Sequence, residues 1–183
     1  MKKVIMMDMD GACANSLFII YDWLDEKEKF YNKELKSDPL FVRKLYKKHF
    51  KNGLELIFDP FPELFSKIIE KTDADIVWST DWRLFEPYKT HIDFAKEMLS
   101  RHKYPGHKLV GYTPNLRTSI RGNEISLYLK QHPEYTKCAI IDDREDAGWN
   151  IPHSIAKLFK TDEQTGLTEY IVEDVIKYLN EKE

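Results

Sequence analysis

Val4-Ile5-Met6-Met7-Asp8-Met9-Asp10-Gly11 is the stretch on which the reading of this chain turns. Four apolar residues in a row suit a strand covered on both faces, and they end at two carboxylates and a glycine. In an open parallel sheet, ligands bind beyond the carboxyl ends of the strands, so Asp8 and Asp10 stand where a site would form. A second stretch repeats the arrangement. Cys138-Ala139-Ile140-Ile141 runs into Asp142-Asp143, and Asp146 follows within a helical turn. If the two strands are neighbours, four or five carboxylates meet in one crevice.

Such a meeting is unfavourable on its own. Two carboxylates ~4 Å apart repel by roughly 4 kcal/mol at an effective dielectric near 20. Several such pairs rival the ~5–15 kcal/mol that holds a whole domain together. A bound divalent cation removes the conflict, and oxygen ligands shared with water and phosphate suit Mg²⁺. Strand-end aspartates also start turns and cap helices. That reading accounts for one such cluster more easily than for two.

Outward from these strands, short apolar runs alternate with amphipathic stretches, the pattern of a parallel sheet covered by helices. Strands are expected at Val4–Asp8, Asp75–Thr80, Lys108–Tyr112, Lys137–Asp142 and Ile155–Lys160. Phe61, Leu64, Phe65, Ile68 and Ile69 share a helix face after Pro60, and Ile125, Tyr128 and Leu129 share another after a start near Thr118 or Ser119. Ile171, Val172, Val175, Ile176 and Leu179 form the last, with Thr168 as N-cap. Residues 12–58 interrupt the alternation. They are rich in Lys, Glu, Phe and Tyr, with helical patterns around Leu17–Phe30 and Pro39–Phe50. The chain is thus expected to be one α/β domain, 1–183, with 12–58 inserted as a small helical cap after the first strand.

Composition bounds the partners. The 183 residues include 42 % hydrophobic and 13 % aromatic side chains, enough for a core, and the formal charge of −3 argues against a generic polyanion binder. Cys13 and Cys138 are the only cysteines, too few for a disulfide framework and without zinc-ligand spacing. Asp8 and Asp10 cut the first apolar run short of a signal peptide, and no apolar segment reaches the ~20 residues of a membrane span. A cytoplasmic protein is expected, with no membrane contact and no obligate protein partner.

The ordered motifs resemble the haloacid dehalogenase superfamily of phosphotransferases. Asp8-Met9-Asp10-Gly11 matches its first motif, Ile76-Val77-Trp78-Ser79-Thr80 its second, and Ile140-Ile141-Asp142-Asp143 its fourth. The third is normally a lysine at a helix start; here Arg121 stands in that place. A narrower resemblance is to the dehalogenase-like domain of Swiss Army Knife RNA-repair proteins. It rests on Thr80-Asp81-Trp82-Arg83, Thr113-Pro114, Arg121-Gly122-Asn123-Glu124-Ile125, Asp142-Asp143, Thr161-Asp162 and Gly166-Leu167-Thr168, all in order. The match covers nearly everything except 12–58.

The resemblance implies a Rossmann-like three-layer core and a role for each residue. Asp8 would attack phosphorus and form an aspartyl-phosphate. Asp10 would protonate the leaving oxygen and then activate water, work typically worth ~10²–10⁴-fold. Mg²⁺ would be held by Asp8, the Asp10 carbonyl, and Asp142 or Asp143 or both. Thr80 would donate to a phosphoryl oxygen, with Ser79 as its substitute if the strand ends one residue earlier. Arg121 would balance charge on Asp8 and phosphate with a bidentate fork. Arg83 stands open between a phosphate contact and a salt bridge, and Asp146 between orienting the metal site and starting a helix.

Other features have plainer readings. Cys138 and Arg144 fit Cys-x5-Arg, the spacing of cysteine-dependent phosphatases, but Asp142 and Asp143 within that loop would repel a dianion. Cys138 is therefore expected to be a buried strand residue, and Cys13 to pack. Trp78, Trp82 and Trp149 are read first as core, with stacking on a nucleobase as the alternative. Arg43, Lys44, Lys47, Lys48 and Lys51 form a basic helix face, read as solvated or as a guide for an anionic substrate.

The expected activity is phosphate monoester hydrolysis. The resemblance implies a nucleic acid end phosphate as substrate. A nucleotide is the alternative, because Asp8-Met9-Asp10-Gly11 together with Ile141-Asp142-Asp143-Arg144 also resembles the 5′(3′)-deoxyribonucleotidase pattern. A non-catalytic binding domain of the same fold is the remaining possibility, disfavoured by the intact Asp8/Asp10 pair.

Overall fold

The computed structural model of the chain describes residues 1–9, 12, 61–84, 91–101, 103–117, 120–162 and 165–181. Asp10, Cys13, the expected cap and its basic face lie outside the described residues, as does the side chain of Trp82.

Five strands form one parallel sheet: β1 (Lys2–Met7), β2 (Asp75–Trp78), β3 (Leu109–Tyr112), β4 (Tyr135–Asp142) and β5 (Ala156–Lys160). Their order is β3-β2-β1-β4-β5. All five expected strands are present, each within about two residues of its expected bounds. Chain order runs outward from β1 in both directions, so the strand order reverses between β1 and β4. A crevice opens at such a point.

The strands are sorted by side. Ile5, Met7, Ile76, Trp78, Ala139 and Ile141 pack on one face with helices α1 (Phe61–Thr72), α2 (Ile92–Arg101) and α4 (Glu169–Asn180). Val4, Met6, Val77, Cys138 and Ile140 pack on the other with α3 (Arg121–Gln131) and the turn around Ala147 and Ile151. Because successive strand side chains alternate in direction, nearly continuous apolar runs are what a three-layer fold requires.

The helices follow their stripes. Phe61, Leu64, Phe65, Ile68, Ile69 and Thr72 bury one face of α1, and Asp73 ends it with φ 55°, a left-handed position that aspartate tolerates. Thr168 caps α4 by accepting from the Ile171 N–H at 3.4 Å. Helix α2 was not anticipated, although Ile92, Ala95 and Leu99 recur at helical spacing and pack on the core. Trp78 is core, as expected, stacked on Tyr112 with ring centroids 6.0 Å apart. Trp149 corrects the expectation: it is 52 % exposed, set in a surface turn between Gly148 and Asn150, whose φ is 58°. No helix among the described residues is long and apolar enough to cross a membrane.

Candidate active site

The register of the sheet builds the site. Met7 is level with Trp78 on one side and Ile141 on the other. The next residues, Asp8, Ser79 and Asp142, therefore form one row across three adjacent strands. Backbone bonds carry the ladder into that row, from Asp8 N–H to Ile141 O at 3.0 Å and from Ser79 N–H to Met7 O at 2.9 Å. The row has the parity of Met6, Val77 and Ile140, so it looks toward α3.

Asp8, Asp142 and Asp143 each offer a carboxylate oxygen, and these oxygens lie within 4.8 Å of one another. Three of the four or five expected carboxylates converge; Asp10 lies outside the described residues and Asp146 lies outside the cluster. Asp142 is fully buried; its Oδ1 accepts from the Arg144 N–H at 2.8 Å, while its Oδ2 has no hydrogen-bond partner among the described residues. Burial pushes the Asp142 carboxyl up to about 7. Neighbouring Asp143 adds to that shift, against Arg121 and Arg144. A buried oxygen without a donor is costly, and a cation among the three carboxylates would satisfy it. The donor set fits a hard divalent ion.

Arg121 opens α3 at the rim of this row and is itself buried. Its Nη1 lies 3.9 Å from Asp8 Oδ1 and makes no hydrogen bond among the described residues. Its Nη2 donates to Asp81 Oδ1 at 3.2 Å. Helix α3 has no side-chain cap of its own at Ile120; instead the Arg121 N–H donates to Asp146 Oδ2 at 2.8 Å. Arg144 grips the same carboxylate with both Nε and Nη2 at 2.9 Å. Burial works against ionisation of Asp146, but this fork and the Arg121 N–H hold it below the usual carboxylate range. Asp146 thus braces the helix that carries Arg121, and it is not one of the three clustered carboxylates.

Gly122 makes the docking possible. A Cβ there would lie 1.8 Å from Trp149 O and 2.9 Å from Asp146 O, so only glycine allows α3 to approach the 146–149 backbone this closely.

Arg83 forms a buried ion pair. The buried guanidinium meets Glu124 Oε2 at 2.5 Å, donates from Nε to Thr113 O at 3.0 Å, and donates from Nη1 to Thr80 O. Burial, followed by the charge of Arg121, holds its pKa below the ordinary value. Glu124 Oε1 in turn accepts from the Leu116 N–H at 3.1 Å. This network ties the ends of β2 and β3 to α3. Glu124 and Asp81 were missed as site-supporting residues, although both lie inside quoted motifs. Glu124 is three residues after Arg121, the spacing that places two side chains on one helix face.

At the end of β2, Ser79 and Thr80 are both buried, and Ser79 Oγ has no partner among the described residues. On the far side of the crevice, Thr161 N–H donates to Asp142 O at 3.0 Å. Asp162 bridges to Gly166, whose φ of 59° and closeness to the Phe61 ring and Ala12 O leave no room for a Cβ. Cys138 lies fully buried in β4, and burial keeps its thiol above the ordinary value. It is a buried strand residue, as expected.

A parallel sheet with a carboxylate cluster at its point of reversal, faced by a buried cation at a helix start, defines the haloacid dehalogenase class of domains. The match extends further. A family described as the HAD domain in Swiss Army Knife RNA repair proteins matches residues 4–172, and the chain belongs to it. Membership points to phosphohydrolase-type chemistry, for which domains of this superfamily typically use a metal ion. No curated protein matches the chain.

Proposed function

We propose that the chain is a Mg²⁺-dependent phosphatase in which Asp8 is the covalent nucleophile and the substrate is a phosphate monoester at a nucleic acid end. The observation that carries this reading is the three-carboxylate cluster of Asp8, Asp142 and Asp143 with Arg121 Nη1 at 3.9 Å from Asp8. Mg²⁺ held by Asp8, Asp142, Asp143 and the Asp10 carbonyl would supply charge neutralisation for an anion approaching an anion.

The chain's own groups do the rest. Asp8 attacks phosphorus, the P–O bond to the leaving group breaks, and Asp10 gives that oxygen a proton. Asp10 then takes a proton from water as the water attacks the aspartyl-phosphate, which restores Asp8 and releases phosphate. Arg121 stabilises the phosphoryl oxygens through Nη1. Thr80 donates its hydroxyl, as the family pattern implies, and Ser79 Oγ in the Asp8 row is a second donor. A cap formed by 12–58 on a single domain would set how large a substrate enters. The reading includes a cytoplasmic location, no membrane and no obligate protein partner.

Hydrolysis of an aryl phosphate with and without Mg²⁺ tests it. Turnover should depend on the ion and fall by more than about 10³-fold in Asp8→Asn, with the fold retained. Undiminished turnover in that variant removes the mechanism. A screen of mononucleotides against 3′- and 5′-phosphorylated oligonucleotides separates the polymer-end reading from the nucleotidase.

A further inference from the structure

Asp81 lies two residues beyond Ser79 and opens a short 3₁₀ turn, Asp81–Leu84, at the end of β2. Its side chain is 64 % exposed, yet one oxygen of it faces two buried cations. Oδ1 is 3.2 Å from Arg121 Nη2 and 3.7 Å from Arg83 Nη1. Burial lowers the pKa of Arg83 and the neighbouring charge of Arg121 lowers it further, so the two guanidinium groups repel across this oxygen. Arg83 is fixed on three sides, by Thr113 O, Thr80 O and Glu124. Arg121 is the partner that can yield.

The direction in which it would yield is toward the nucleophile. Arg121 Nη1 makes no hydrogen bond among the described residues and stands 3.9 Å from Asp8 Oδ1. A charge-assisted bond forms near ~2.8 Å, so a shift of about 1 Å would close that pair. The cation would then tie up the Asp8 carboxylate and fill the space a phosphoryl oxygen needs. We propose that Asp81 is a positioning residue: it draws Arg121 back from Asp8 and so keeps Nη1 aimed at an incoming phosphoryl group. The inference rests on the hydrolase reading and adds to it the residue that keeps the nucleophile open. An exposed carboxylate contributes little to stability, so removing Asp81 acts on the site while the fold stays intact.

The test uses the full chain with Mg²⁺ and reads two quantities, aryl phosphate turnover and the binding of orthophosphate by calorimetry. Asp81→Ala should lower kcat/KM by about 10–100-fold, the scale of a misplaced catalytic group. It should also weaken orthophosphate about tenfold, the loss of one bond between charged groups. Asp81→Asn keeps the accepting oxygen and should restore most of both. In an Arg121→Ala background, Asp81→Ala should cost nothing further, because no guanidinium is left to hold. Unchanged turnover and orthophosphate affinity in Asp81→Ala overturn the proposal, and so do losses that add in the double variant or that Asn fails to relieve. An unaltered protein without turnover, whose orthophosphate binding depends on Asp81, removes the hydrolase and leaves the positioning. Turnover indifferent to Asp81 removes the positioning alone, and a protein with neither turnover nor orthophosphate binding removes both.

Discussion

Arg121 Nη1 stands 3.9 Å from Asp8 Oδ1, with both side chains buried, while the other arm of the same guanidinium donates to Asp81 at 3.2 Å. One cation is thus shared between the row of strand-end carboxylates and an exposed aspartate at the mouth of the crevice. The helix start that carries it is fastened by Asp146, and Asp146 by Arg144.

This division of labour predicts unequal effects for two arginines. Arg121→Ala should lower kcat by about 10²–10³-fold, the usual effect of removing a preorganised charge donor. Arg144 lies partly exposed and touches Asp146, so Arg144→Ala should change kcat by only a few-fold. Steady-state kinetics on an aryl phosphate decide it, and equal losses would reopen the cysteine-loop alternative.

Arg83 should matter through stability. Removing one partner of a buried ion pair leaves the other uncompensated, at about 3–5 kcal/mol. For a chain of this size that corresponds to a fall in Tm on the order of 10 °C. Arg83→Met should show this fall, and Arg83→Met/Glu124→Leu should recover part of it. Thermal unfolding of the three proteins is the measurement; additive losses would contradict the pairing.

Two glycines should respond differently to the same added methyl. In Gly122→Ala the new Cβ meets backbone oxygens at 1.8 and 2.9 Å, so α3 must shift. A loss of about 1–3 kcal/mol is expected, with reduced turnover as Arg121 moves. In Gly148→Ala the nearest atom is Leu158 Cδ2 at 3.0 Å, the end of a side chain that can rotate, and the effect should be under about 1 kcal/mol. Denaturant unfolding and kinetics on both variants would show whether the close approach at Gly122 matters.

Metal should stabilise the fold. An ion that binds only the folded state adds about 2.7 kcal/mol at a hundred times its Kd, a rise of roughly 5–10 °C in Tm for a chain of this length. Mg²⁺ should produce this rise in the unaltered protein. In Asp142→Asn the rise should be largely lost, because the Oδ2 left without a donor is gone. A full shift in that variant would place the ion elsewhere.

Much of this was legible in the chain itself. The five strands could be read because residues buried on both faces must be apolar, and that demand leaves continuous runs such as Val4–Met7 and Cys138–Ile141. The carboxylates could be read because acids stop those runs. The ends of α1 and α4 were marked by Pro60 and Thr168. Helix α2 carried the same kind of signal, with Ile92, Ala95 and Leu99 at helical spacing, and was missed although it was legible.

What only tertiary structure decided was which distant groups meet. The chain says that Asp8 and Asp142 each end a strand; the sheet order puts those strands side by side and the register puts the two residues level. Arg83 and Glu124 lie 41 residues apart and meet because α3 docks where Gly122 lets it approach. Trp149 reads as core by composition and is turned outward by the bend it occupies. Periodicity records how deeply a residue is buried. Pairing across the fold depends on long-range packing, and no local pattern encodes it.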